Sequence, residues 1–259
     1  MYKIPELNCI DGNILAIGFL KSDKSNQAYQ DFTIKWMTLF DDWKSGKIPD
    51  NNEYIFANLM PDILQKHIIK DTSKRVNDET THYTKIEIIN GIDIPIPDID
   101  KFYSVYKNEM SNPIISGYYS HLLTDYFWNE FSYKNYFKQI DKEKNLVEIQ
   151  LANGANIELQ WDDAVKLKQK DFRIFTKYLH NNMEMILPVY SDKILEYSKV
   201  IKEYSFEEKD IKNTIKYVEK YIDKRIQEDS ESNYEIFSEE LMKTKVKDSI
   251  EFIKNHVKG

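Results

Sequence analysis

This sequence predicts a mainly α-helical fold, a multi-helix bundle carrying two small β-hairpin insertions. Three observations point there. Only 7 glycines and 7 prolines occur in 259 residues, too few turn-formers for an all-β chain. Apolar residues recur at helical spacing over long stretches. Two segments, near residues 85–97 and 146–161, switch instead to alternation around an Asn-Gly pair, which marks hairpins.

Taken in order, the first helix spans 28–45, where Tyr29, Phe32, Trp36, Leu39, Phe40 and Trp43 share a face and Ser45-Gly46 end it. Residues 54–69 form a short helical or extended segment in which Asp62 follows Pro61. Residues 71–81 have no apolar period and read as a loop with His82 at its end. In the first hairpin the arms meet at Asn90-Gly91, and Pro95 and Pro97 confine the second arm to a sheet edge. A helix over 100–110 follows, with Asp98 or Asp100 at its N-cap. Pro113 opens the next helix, which runs to about Phe137. The second hairpin turns near Asn153-Gly154. Val147, Ile149 and Leu151 line one face of its first arm, and Ile157, Leu159 and Trp161 one face of its second. Both hairpins read as decoration on a helical body, pairing with each other. A helix over 162–185 turns Phe172, Phe175, Leu179 and Met183 inward.

Beyond Pro188 the chain becomes charged and strongly periodic. Ile211, Ile215, Val218, Ile222 and Ile226 form one stripe; Phe237, Leu241, Val246, Ile250 and Ile253 form another. This reads as an antiparallel helical pair packed on the body or on a partner. The expected organisation is therefore a metal-binding helical domain over 1–188 and a C-terminal helical extension over 189–259, whose helices offer a surface for oligomerisation.

Composition narrows the function. Hydrophobic residues make up 41% of the chain, enough for a real core, and the net charge is −7. There is no basic field to hold a phosphate backbone, so nucleic acid is not the expected partner. Cys9 is the single cysteine, so no intrachain disulfide can form. The short apolar run at 14–20 contains Gly18 and lacks the flanks of a signal peptide, and no stretch reads as a transmembrane helix. A cytoplasmic location is expected. The abundance of Lys, Ile, Asn and Tyr suits an AT-rich bacterial gene.

The chemistry gathers in the 113–137 helix. His121 and Asp125 stand four residues apart in an otherwise apolar, aromatic run, so they share one face about a turn apart. A buried imidazole and carboxylate need partners, and a divalent metal satisfies both. Asp62 and His82 supply a second carboxylate and a second imidazole. Gly117, one turn before His121, leaves room for a close approach on that face.

Three segments in order carry a resemblance. Pro61-Asp62 follows an apolar pair, Thr81-His82-Tyr83 comes next, and Gly117 is followed by His121-Leu122-Leu123-x-Asp125-x-x-Trp128. From about Asn58 to Asn129 the pattern resembles the zinc-dependent phospholipase C family, most nearly its intracellular bacterial branch. The resemblance implies a helical bundle of the phospholipase C type and a zinc held by Asp62, His82, His121 and Asp125. It also implies that Asp125 bridges to a second metal. The chain departs from the family in beginning Met1-Tyr2-Lys3 where secreted members begin with tryptophan, and in having no histidine before His67. Its single HxxxE pair, His180 and Glu184, lies farther downstream than the family pattern places it. One zinc site is supported; His180 and Glu184 are the pair available for a second.

The implied reaction is hydrolysis of a phosphoester, on a small molecule or a lipid head group, by a metal-activated water. No spacing argument selects a catalytic residue, although Glu79 is available as a base. Tyr118, Tyr126 and Trp128 are placed to line a pocket, with core packing the competing role. Asp163 and Asp171 offer further carboxylates. Two other readings stay open: a metal that only braces a helical interaction protein, and an HD-type phosphohydrolase. No adjacent His-Asp doublet occurs in the chain, which ranks the last of these lowest.

Overall fold

The structure is a computed structural model that describes residues 51–63, 76–182, 187–227 and 233–257. The helix expected over 28–45, Cys9 and the apolar run at 14–20 lie outside the described residues.

Three short helices come first: α1 (Asn51–Ala57), α2 (Met60–Ile63) and α3 (Asp78–Thr81). The last falls in a segment expected to be loop, and Asn77 caps it by accepting from the Thr80 N–H at 3.0 Å. Strands β1 (Thr84–Ile89) and β2 (Ile92–Pro97) form the first hairpin. Its two-residue turn has Asn90 at φ +49° and Gly91 at φ +83°, the left-handed pair of a type I′ turn. Helix α4 (Ile99–Tyr106) is capped by Asp98. Helix α5 (Pro113–Tyr136) is capped by Asn112, with proline in its first turn.

Strands β3 (Phe137–Asp141), β4 (Leu146–Gln150) and β5 (Asn156–Gln160) make an antiparallel three-stranded sheet. Helices α6 (Trp161–Asn182), α7 (Asp192–Ser198), α8 (Glu208–Gln227) and α9 (Glu239–Val257) complete the described chain.

This architecture corrects the expectation of a mainly α bundle of the phospholipase C type with two hairpin insertions. Helix dominates, but the fold is mixed α and β with two separate antiparallel sheets, of two and three strands. The hairpins do not pair into one sheet, and neither is decoration. Ile92, Ile94 and Ile96 of β2, Phe137 of β3 and Val147 and Ile149 of β4 are all buried in one hydrophobic core with α5, α6 and α9. A second core joins α1, α2, α4 and the first half of α5 to Ile194 of α7 and Ile211 and Ile215 of α8. The final helices both pack on the body. Helix α8 lies against α2 and α6, whereas α9 lies along α5.

Helix α5 runs through both cores, and every residue from Pro113 to Thr124 is buried. Its far end is held by the first hairpin. The Asn90 amide donates to the carbonyls of Tyr133, Lys134 and Phe137 at 2.9–3.0 Å, which satisfies acceptors that a helix C-terminus leaves open. We expect Asn90→Ala to lose this cap and to strain the left-handed turn position. Urea denaturation should register a loss of about 1–2 kcal/mol.

Candidate metal centre

Three segments, α5 among them, bring their ligand-type side chains together on the buried flank of α5. His121 and Asp125 project from consecutive turns of that helix. The short α2 presents Asp62 directly after Pro61. His82 follows α3, and Tyr83 beside it has φ +52°, the left-handed conformation that commonly ends a helix. This turn takes the chain from α3 into β1.

The ligand-type atoms converge. His121 Nε2 and His82 Nε2 are 3.1 Å apart. His121 Nε2 lies 3.3 Å from Asp125 Oδ2, and His82 Nε2 lies 3.7 Å from that same oxygen and 3.5 Å from Asp62 Oδ1. Donors about 2.0–2.2 Å from a tetrahedral ion are roughly 3.3–3.6 Å from one another; the four separations lie near that length, and the group whose ligand atoms all fall within 4.8 Å of one another is Asp62, His82 and His121, without Asp125. Asp62, His82 and His121 are 2%, 5% and 0% exposed. This buried Asp62/His82/His121 group could hold a metal ion. Asp125, in contact with both imidazoles, sits at the more open side with its side chain 11% exposed.

Outer hydrogen bonds aim the rings. His121 Nδ1 is 2.7 Å from the main-chain oxygen of Asn58. A carbonyl only accepts, so the neutral ring carries its proton on Nδ1 and leaves the Nε2 lone pair facing His82. His82 Nδ1 is 2.9 Å from Thr81 Oγ1, which likewise turns Nε2 inward. Two inward imidazole nitrogens and two carboxylates form a donor set of the kind a divalent cation takes.

Gly117 makes the α1 contact possible. A Cβ there would lie 2.4 Å from the Tyr54 carbonyl oxygen and 2.6 Å from Ala57 Cβ. The close crossing of α1 and α5 is what carries the Asn58 carbonyl to His121. On the same helix pair, the Tyr54 hydroxyl and Ser120 Oγ are 2.6 Å apart.

Other expected site residues fall elsewhere. Trp128 is buried in the first core, edge-on to Phe131 and Phe172, and Tyr126 stacks on Phe252 of α9 at 6.0 Å. Both positions are packing positions. Tyr118 is buried behind the centre, and its hydroxyl donates to the Thr81 carbonyl next to His82. Glu79 is exposed on α3. Glu184 and the side chain of His180 lie outside the described residues. Asp163 is exposed and paired with Lys166 at 2.7 Å. Asp171 accepts the main-chain N–H groups of Glu235, Ile236 and Phe237 at 2.7–2.8 Å. Burial pushes its carboxyl above the usual range against those three donors, so Asp171 anchors the entry to α9.

The Asn58 carbonyl was not legible in the sequence. It is a main-chain atom, with no side-chain signal to announce it. Thr81 was visible as the neighbour of His82, but its orienting role depends on the turn at Tyr83.

No protein-family model, no curated protein and no solved structure matches this chain. No helix among the described residues is long and apolar enough to cross a membrane.

Proposed function

We propose that this chain is a zinc-dependent hydrolase of phosphoesters, phospholipase C-like in its chemistry, with Asp62, His82, His121 and Asp125 as the ligands of one zinc. The single observation that carries the reading is the convergence of two imidazoles and two carboxylates from three segments, each imidazole oriented by a hydrogen bond at its far nitrogen. The segmental resemblance to the phospholipase C family supports the choice of metal and substrate class. An all-nitrogen-and-oxygen donor set suits zinc in hydrolytic centres. Zinc supplies a bound water of pKa about 7 and a Lewis acid for the phosphoryl oxygens. Asp125, with its side chain at the more open side, would hold the metal where water or substrate would reach it.

The test is elemental analysis followed by turnover of bis(p-nitrophenyl) phosphate. Near-stoichiometric zinc and slow hydrolysis, lost on chelation and restored by zinc, are the expected outcome. Zinc-loaded protein that turns over no phosphodiester, phosphomonoester or phospholipid would remove the hydrolase reading.

A second reading is favoured by one feature: four protein groups can close a tetrahedron by themselves, as in structural sites. The protein would then be a non-catalytic, metal-braced helical interaction protein. Water relaxation measured on the cobalt-substituted form separates the two, because a brace has no exchangeable water on the metal.

A further inference from the structure

The residues on either side of His82 are tied, each through a tyrosine hydroxyl, to two adjacent residues of one distant loop. On one side, the Tyr83 hydroxyl donates to one carboxylate oxygen of Glu203. Tyr106 donates to the other oxygen at 2.6 Å, and the Lys202 N–H donates to the Tyr106 hydroxyl at 3.0 Å. On the other side, Tyr204 donates to the Tyr118 hydroxyl at 2.6 Å, which in turn donates to the Thr81 carbonyl. Glu203 and Tyr204 lie between α7 and α8, about 120 positions along the chain from His82.

We propose that this loop is a positioning clamp for the metal centre, in which Glu203 and Tyr204 hold the 81–83 turn in the conformation that aims the His82 imidazole at His121. The backbone gives the reason a clamp is needed. Tyr83 stands at φ +52°, a region that a bulky L residue enters only when its surroundings hold it there. Glycine or asparagine would take that position readily. Tyrosine is used there, and its side chain contacts Glu203 and packs edge-on against Phe102 at 5.2 Å. Release of Tyr83 lets the turn relax toward ordinary backbone angles and swings His82 with it. Burial holds the Tyr118 and Tyr204 hydroxyls well above the usual tyrosine range, and burial with Glu203 pushes Tyr106 up to about 12. The hydroxyls therefore remain protonated and able to donate.

Glu203 and Tyr204 are positioning residues, acting through the turn and not on the metal itself. The zinc arm of the test rests on the metal reading above; the imidazole arm does not. Glu203→Ala and Tyr204→Phe are each expected to weaken zinc about 10- to 100-fold in competition with a chromophoric chelator, the scale typical of an orienting partner. Both should shift the visible spectrum of the cobalt form, and Glu203→Gln, which keeps an acceptor, should lose less. Asp171→Asn, in the other core, should lower the urea midpoint while leaving zinc affinity within about twofold. In metal-free protein, the His82 imidazole nitrogen signals should move in both loop variants and those of His256 should not. Wild-type zinc affinity and cobalt spectrum in both variants overturn the clamp. If the wild type holds no zinc, the metal reading fails, and unmoved His82 signals overturn the clamp independently. Tyr204→Phe, which removes one oxygen, decides the matter if Glu203→Ala does not fold.

Discussion

His121→Ala is expected to emerge from purification without zinc and to show no zinc-dependent rise in melting temperature. His121 contributes an Nε2 that is in contact with both His82 and Asp125. Its removal deletes one nitrogen of the proposed ligand set and leaves the Asn58 carbonyl without its buried donor. A ligand present at about 1,000 times its Kd stabilises the native state by about 4 kcal/mol. For a chain of this size that corresponds to roughly 10 °C in Tm. The informative quantity is the increment between chelated and zinc-loaded protein, since the buried cavity left by the substitution lowers stability even without metal. The control is His256→Ala. His256 lies near the end of α9, where its Nδ1 is 2.7 Å from the Phe252 carbonyl, and its loss should leave the zinc increment intact. Equal increments in the two variants would make His121 an ordinary core histidine and remove the basis of the metal centre.

The parts of this fold legible in sequence are those decided locally. Asp98, one of the two N-cap candidates, caps α4, and Pro113 opens α5 as its residue type calls for. Asn90-Gly91 forms the tight turn that an Asn-Gly pair between alternating arms calls for. Strand β3 was not legible. It begins where a helix was expected to end, holds one inward apolar residue, Phe137, and exposes Ile140. It is a strand because β4 pairs with it, through a bulge between Gln139 and Asp141. The final helices illustrate a related gap. An apolar stripe shows that a face is buried, but the stripes of α8 and α9 do not reveal that one meets α2 and α6 while the other meets α5. The candidate site divides in the same way. The His121–Asp125 pair follows from helical period alone, whereas Asp62 and His82 join it across long separations in sequence, where residue type offers them as partners but no spacing places them there. The Tyr83 conformation and the Glu203–Tyr204 loop depend on tertiary contacts with no sequence signature.

Gly117→Ala is expected to be the most damaging small substitution in the described chain, because the added methyl meets main chain and not a flexible side chain. Its Cβ would stand 2.4 Å from the Tyr54 oxygen and 2.6 Å from Ala57 Cβ, so α1 must move away from α5. Overpacking a closed contact costs about 1–3 kcal/mol, with backbone collisions at the upper end. Alanine returns up to about 1 kcal/mol through its better helix propensity. A net loss of about 2 kcal/mol in urea denaturation is the expected balance. The displacement should also reach the proposed metal ligands. Helix α1 leads directly into Asn58, whose carbonyl lies 2.7 Å from His121 Nδ1, so moving α1 loosens the group that fixes the His121 ring. A fall in zinc affinity of about tenfold should accompany the stability loss. Combining Gly117→Ala with Ala57→Gly removes one of the two collisions and leaves the Tyr54 oxygen. A double-mutant cycle should therefore show partial rescue, with a favourable coupling of about 1 kcal/mol. A Gly117→Ala protein as stable as the wild type, with unchanged zinc affinity and no coupling to Ala57, would mean that the two helices do not cross this closely and that the Asn58 carbonyl is not what orients His121.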